Sequence, residues 1–410
     1  MDSLRSGAWQ GEQSECGELK ILVENGEYGL HNRGDIATMI MTVQRLRERW
    51  PHARIGMLTA EPRVLRAVLP EAEPIHAGGG WQWGRGGFAG QLEQLTAAKV
   101  TGPTALKWRE ATEAPLRQLR GVGDRLRFEA QALIGKETPA GMPPLPPVPA
   151  AITEADLVIA QGGGYLADID LYQAHRTLNL LEHARALGIP TAMIGQGIGP
   201  IHDRELLRRA FEVLPGVDLI SLREGLRGPK LLAEIGVPAE RVEVTGDDSV
   251  EFAYRMRRAE IGADLGVCLR DSEYDRFGHT VPGAVAIARS GAAEEVARRV
   301  SRCRVLVTSA YHLAVFALSQ GIPAVAVTAS EYCDDRFYGL ADMFGAGLRV
   351  VRLGVDDLES ELPLAVRELW ESAPELRDTL QQRAVEQIDS VRAGLDRVFR
   401  LMEQRPAPIR

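Results

Sequence analysis

From residue 155 to residue 249 the chain repeats one pattern: a short apolar run, a turn, and a stretch with apolar side chains at helical spacing. ADLVIAQGGG (155–164), IPTAMIGQGIGP (189–200), VDLISLRE (217–224) and ERVEVTGDDS (240–249) supply the runs. YQAHRTLNLLEHARALG, DRELLRRAFEVLPG and GLRGPKLLAEIG lie between them. Strands that are apolar at successive positions are covered on both faces, and strands joined by helices pair in parallel. The pattern confines this part of the chain to a doubly wound α/β layer.

The same unit occurs once earlier. LKILVEN (19–25), a glycine-containing loop, IATMIMTVQRLRERW (36–50) and ARIGMLT (53–59) read as strand, loop, helix and strand. A second, shorter series follows: ADLGVCLR (263–270), a helix near 283–301, CRVLVTS (303–309), the apolar segment around His312, PAVAV (323–327) and LRVVRL (348–353). At 410 residues the chain exceeds what one core holds. Two Rossmann-like domains facing a cleft are therefore expected, an N-terminal one over 19–255 and a shortened C-terminal one over 256–355. Helices and a tail occupy 356–410, and residues 1–18 are expected to be disordered.

Residues 77–150 break the alternation. AGGGWQWGRGGFAG (77–90) is rich in Gly and Trp, ETPAGMPPLPPVPA (137–150) is dominated by proline, and 91–135 is helical in character. This is an insertion in the first domain, ending in a stiff connector. Trp81, Trp83 and Phe88 either stack on a sugar or lipid-like acceptor or pin the insertion to the core.

A net charge of −8 argues against a nucleic-acid or anionic-membrane surface. No apolar window is long enough for a membrane span, and the N-terminus lacks a signal-peptide core. Cys16, Cys268, Cys303 and Cys333 are scattered singly, which indicates reduced thiols rather than disulfides or a zinc site. A cytoplasmic protein with no metal, no cofactor and no nucleic-acid partner is expected; a homo-oligomer is compatible with these features.

Ligands of open parallel sheets bind beyond the carboxyl ends of the strands. The tips here carry Gly29, Asn32, Gly34 and Asp35; Gly162, Gly163, Gly164 and Asp168; Gly195, Gly197 and Gly199; Ser221, Arg223 and Glu224; Gly246, Asp247 and Asp248; and, in the second series, Arg270 and His312. Glycine lets backbone N–H groups approach an anion, yet tight β-α turns need glycine anyway, and none of these clusters is a nucleotide fingerprint. Asp35 fits a helix cap as well as a ligand, and Asp247 with Asp248 fits a turn. The succession of glycine and charge at tip after tip is what marks the cleft.

In that order GLHNRGD, VIAQGGGYLAD, GQGIGP, SLRE, VTGDD and YHLAVFALSQGIP resemble the polysaccharide pyruvyl transferase family, over roughly 19–345 apart from the insertion. The resemblance implies a GT-B-like fold and transfer of a pyruvyl group from phosphoenolpyruvate to sugar hydroxyls as a ketal. It places the active histidine on His312, with Asp35 and Asp168 as candidate bases or acceptor-orienting groups. The anionic donor falls to Arg223, whose guanidinium can grip a carboxylate or phosphate. Ser221, Gly162, Gly163, Gly164, Gly197, Arg270, Ser309 and Tyr311 complete that side, and Asn32, Trp81 and Trp83 are assigned to the sugar-containing acceptor. Phosphoenolpyruvate is then a co-substrate, not a cofactor.

One departure stands out. The family commonly reads S-x-R-L-H here, whereas this chain reads Thr308-Ser309-Ala310-Tyr311-His312, with Ala310 in place of arginine. Arg270, Arg276, His279 and Arg336 are the candidates to replace it. A GT-B-type glycosyltransferase with a nucleotide-sugar donor and a non-catalytic ligand-binding relative are the competing readings. SEYCDDRFYGLADMFG (330–345) is read as a surface loop, able to close over the cleft or merely exposed.

Overall fold

Strand β1 (Lys20–Glu24) pairs in parallel with β2 (Arg54–Thr59) on one side and with β4 (Leu157–Ala160) on the other. The chain therefore reverses its direction of winding between β1 and β4, and such a switch point opens a crevice at the strand ends. The computed structural model describes residues 18–77, 83, 144–269, 283–289 and 291–404. In it β3 (Glu73–His76), β5 (Thr191–Gln196), β6 (Leu219–Leu222) and β7 (Val242–Val244) complete an all-parallel sheet of order β3-β2-β1-β4-β5-β6-β7. A second parallel sheet, of order β12-β11-β10-β8-β9, is built from β8 (Asp264–Cys268), β9 (Val285–Ala286), β10 (Cys303–Thr308), β11 (Ala324–Thr328) and β12 (Leu348–Arg352). Its switch point lies between β8 and β10. Seven strands against five make the second domain the smaller one.

The connections are helical where the apolar spacing predicts it. In the first domain they are α1 (Arg33–Arg49), α2 (Pro62–Val68), α3 (Leu171–Ala186), α4 (Arg204–Val213), α5 (Gly228–Ile235) and α6 (Ser249–Tyr254). In the second they are α7 (Ala293–Val300), α8 (Tyr311–Ser319), α9 (Glu331–Phe344) and α10 (Leu358–Glu403). Every residue of α8 is buried, which explains its run of apolar side chains without a polar face.

Several features differ from expectation. The helix expected near 283–301 begins only at Ala293, because Val285–Ala286 before it pair with β8 as the edge strand β9. Helices α2 and α6 are too short for their apolar spacing to have marked them. Residues 331–344 form α9 rather than a loop: Ser330 caps its start by accepting from the Cys333 N–H, Phe337, Leu340 and Phe344 bury one face, and left-handed Gly345 ends it. The short strand β3 is not foreseen, because EPIH is too brief and too proline-marked to read as a strand. The expected disorder of the N-terminus, the insertion from 78 to 143 (Trp83 apart), and Trp81, Phe88, Arg270, Arg276 and His279 lie outside the described residues.

Helix α10 ties the domains together. Its first turns pack on the second sheet through Leu358, Leu362 and Leu369. Its end returns to the first domain, where Arg397 Nη1 donates to Glu243 Oε2 at 3.0 Å and Phe399 meets Trp50 edge-on. Arg392 of α10 also pairs with Glu251 at 2.6 Å, and Glu251 belongs to a buried ion-pair set of the first domain in which Arg45 of α1 holds Asp248 at 2.8 Å and Glu251 at 2.9 Å. Among the described residues no helix is long and apolar enough to cross a membrane.

Candidate active site

The tips of both sheets open onto one cavity of about 870 Å³, lined from the first domain by the β1–α1 loop, Gly163, Gly164 and Arg223, and from the second by residues 309–313 and α9. The α1 helix begins at its edge. Asn32 Oδ1 accepts from the Gly34 N–H at 3.0 Å, so the cap residue and the first-turn Asp35 both face the cavity.

His312 enters from the opposite domain, as the second residue of α8. Its Nε2 stands 3.7 Å from Asp35 Oδ1 and 3.9 Å from Asp247 Oδ2. The ring rests on Gly34, where a Cβ would fall 2.0 Å from the imidazole Cγ. Burial pushes the His312 pKa down to about 4; Asp247 opposes the shift, and Arg223 and Arg336 add to it. The imidazole is therefore uncharged at neutral pH. Asp35 moves the other way, to about 7, through burial and the neighbouring Glu27, against the pull of Arg223 and Arg336. Burial also opposes charge on Asp247, but His312 in its protonated form, Arg223 and the bonds from Ser249 outweigh it and keep that carboxyl low. One neutral base, one carboxyl that titrates near neutrality and one fixed carboxylate thus share a single point.

Four arginines line the cavity, Arg33, Arg223, Arg289 and Arg336, and two of them, Arg223 and Arg336, flank Tyr311. Arg223, 3 % exposed, reaches Asp247 Oδ2 at 3.5 Å, lies 4.2 Å from the Tyr311 ring centroid, and leaves its Nη2 without a hydrogen-bond partner. Ser309 Oγ, also buried, has no partner either. Buried polar atoms in native proteins are nearly always paired, so these two are open to water or to a polar ligand in the cavity. Arg336 of α9 stacks on Tyr332 at 3.9 Å and approaches Tyr311 at 5.8 Å. The Tyr332 hydroxyl in turn donates to the Gly164 carbonyl at 2.8 Å.

The structure thus brings His312, Asp35, Arg223, Ser309, Tyr311, Asn32, Gly163 and Gly164 around one cavity. It places others elsewhere. Asp168, expected to be catalytic, holds the loop after β5 by accepting from the His202 and Asp203 N–H groups at 2.6 and 3.1 Å. Ser221, expected on the donor, gives its hydroxyl proton to Glu243 at 2.8 Å in the adjacent strand. Trp83, expected on the acceptor, is a core residue: it is 7 % exposed, its Nε1 donates to the Ala151 carbonyl at 2.6 Å, and its ring lies against Gly56. Gly162 packs backbone to backbone on Gly195, Gly197 makes room for the Arg223 guanidinium, and neither lines the cavity. Asp247 and Tyr332 belong to the site but were not singled out for it. The acidic pair after β7 was the signal for Asp247; Tyr332 had none, since its segment read as a loop.

The sequence model of the polysaccharide pyruvyl transferases matches residues 32–331, a span that includes Asn32, Asp35, Arg223, Asp247 and His312. No curated protein matches the sequence. Among solved structures the fold is similar to a UDP-N-acetylglucosamine 2-epimerase, at 11% identity and a TM-score of 0.51, covering 95% of this chain and 98% of that one. A Listeria monocytogenes protein described as an enzyme of the same name is similar at 10% identity and TM-score 0.51, covering 96% of this chain and 99% of that one. At this identity the likeness concerns the two-domain, GT-B-like fold.

Proposed function

The chain belongs to the polysaccharide pyruvyl transferase family, and from that premise we propose that it transfers a pyruvyl group from phosphoenolpyruvate to two hydroxyls of a sugar-containing acceptor. The observation that carries the reading is the convergence of His312 with Asp35 and Arg223 in one interdomain cavity. The donor has two anionic groups, and Arg223 with an unpartnered Nη2 suits either of them.

The titrating groups match the proton movements this chemistry requires. A bound donor places negative charge beside His312, which favours its protonated form. His312 then delivers that proton to the donor methylene while an acceptor hydroxyl attacks the adjacent carbon and gives its own proton to Asp35. Phosphate leaves with the electron pair of the C–O bond. A second acceptor hydroxyl closes the ketal and returns a proton to His312, and the Asp35 proton departs with phosphate or solvent. Asn32, exposed at the cavity edge, is placed to orient the acceptor.

The test is release of inorganic phosphate from phosphoenolpyruvate in the presence of a panel of glycans, with the new ketal methyl group followed by proton NMR. Release that depends on the glycan supports the reading. A protein that binds uridine diphosphate in calorimetry and ignores phosphoenolpyruvate is a glycosyltransferase-like enzyme instead.

A further inference from the structure

With Ala310 in place of arginine, the segment that leads into α8 carries no cation of its own. Arg336 lies beside that gap on α9, and it makes no ion pair among the described residues, unlike its neighbours: Asp335 is held by Arg227 at 2.6 Å and Asp334 by Arg352 at 2.9 Å. Its guanidinium is laid over Gly164, where a Cβ would fall 1.0 Å from Nη2, so only glycine permits this placement. Tyr332 fixes the plane from one side, and Tyr311 is shared with Arg223. The two guanidiniums therefore come from different domains and converge on one ring, and among the described residues Asp247 is the one carboxylate that ion-pairs with either, itself shared with His312. Two like charges held beside one ring repel each other, and an anion between them relieves that repulsion.

Resting on the preceding reading for the donor's identity, we propose that Arg336 is the second cation of the donor site, supplying from α9 the charge that Ala310 lacks. Arg223 and Arg336 then form a two-point anion clamp that spans the cleft, one guanidinium for each anionic end of the donor, with Ser309 Oγ in the same cavity as a donor of a further hydrogen bond. Burial and the neighbouring Arg223 lower the Arg336 pKa to about 10, which leaves it charged at neutral pH and ready to gain from an anion. Helix α9 is held in place by contacts to the first domain that do not involve Arg336: Arg227 also reaches Glu331 at 3.0 Å, and His202 does so at 3.1 Å.

Calorimetric titration of phosphoenolpyruvate and, separately, of uridine diphosphate into the wild type, R336Q and R336K tests this. Glutamine keeps the stacking on Tyr332 without the charge, and lysine keeps the charge without the fork. The expected result is a loss of phosphoenolpyruvate affinity of roughly a hundredfold in R336Q and a smaller loss in R336K, at an unchanged melting midpoint. Undiminished phosphoenolpyruvate binding in R336Q overturns the clamp and leaves the transfer reading standing. If the wild type binds only uridine diphosphate, the transfer reading falls, and a similar loss for that ligand in R336Q still supports the clamp. Binding of neither probe overturns both.

Discussion

The imidazole of His312 lies on the Cα of Gly34, with one residue in each domain and no room between them for even a methyl group. That contact sets the 3.7 Å separation of His312 from Asp35, which follows Gly34 by one residue. The spacing of His312 and Asp35 is therefore a property of how the domains dock, and it is fixed by a missing side chain.

Gly34→Ala should displace the His312 ring or part the domains. Overpacking of this kind costs about 1–3 kcal/mol. Denaturant unfolding of G34A, H312A and the double variant measures it: the loss in G34A should largely vanish once His312 is Ala. Equal destabilisation of both backgrounds would show that the two residues do not press on each other.

His312→Gln should lower phosphate release by about 10²–10⁴-fold, the range of a lost proton-transfer group, while the far-UV spectrum is retained. The glutamine amide can occupy much of the same space above Gly34 but cannot exchange a proton at neutral pH. Turnover within a few-fold of wild type would remove His312 from the proton path.

Asp35 gives a pH dependence with a definite sign. Its pKa rises from 3.8 in the unfolded chain to about 7 in the fold, so the folded state holds the extra proton between those values. Stability from this group is present at low pH and is lost as pH climbs from 3.8 to about 7, by at most about 4 kcal/mol. Asp35→Asn should accordingly raise the melting midpoint above pH 7 and leave it near the wild-type value at pH 4. The wild type should show a rise in kcat/KM toward pH 7 as Asp35 ionises, and the same variant should lack it. A parallel pair of melting curves from pH 4 to pH 8 would refute the shift.

Trp83→Ala should cost about 3–5 kcal/mol of stability, as expected for truncating a buried aromatic. The acceptor KM of the folded fraction should stay the same. A changed KM with unaltered stability would return Trp83 to the acceptor side.

The sheets were legible because a covered parallel strand must be apolar at every position, as in VIA of β4 and VLV of β10. The cleft was legible because glycine and charge accumulate at strand tips, where helices start. Individual tip residues were less so. Asp168 and Asp35 follow strands in the same way, yet Asp168 bonds two backbone N–H groups of the next loop while Asp35 stays open to the cavity. Helix α9 was hidden by its polar first turn, where Asp334, Asp335 and Arg336 look like a surface loop until Phe337, Leu340 and Phe344 are seen to share a buried face.

By itself the sequence determined two parallel sheets, their relative sizes, and the set of ionisable groups available at the strand ends, because these follow from local periodicity along one stretch of chain. Only the tertiary structure decided which of those groups meet. His312 and Asp35, or Arg223 and Arg336, are far apart in the chain and come together through the docking of two domains, where contact depends on the absence of a side chain at Gly34 and Gly164.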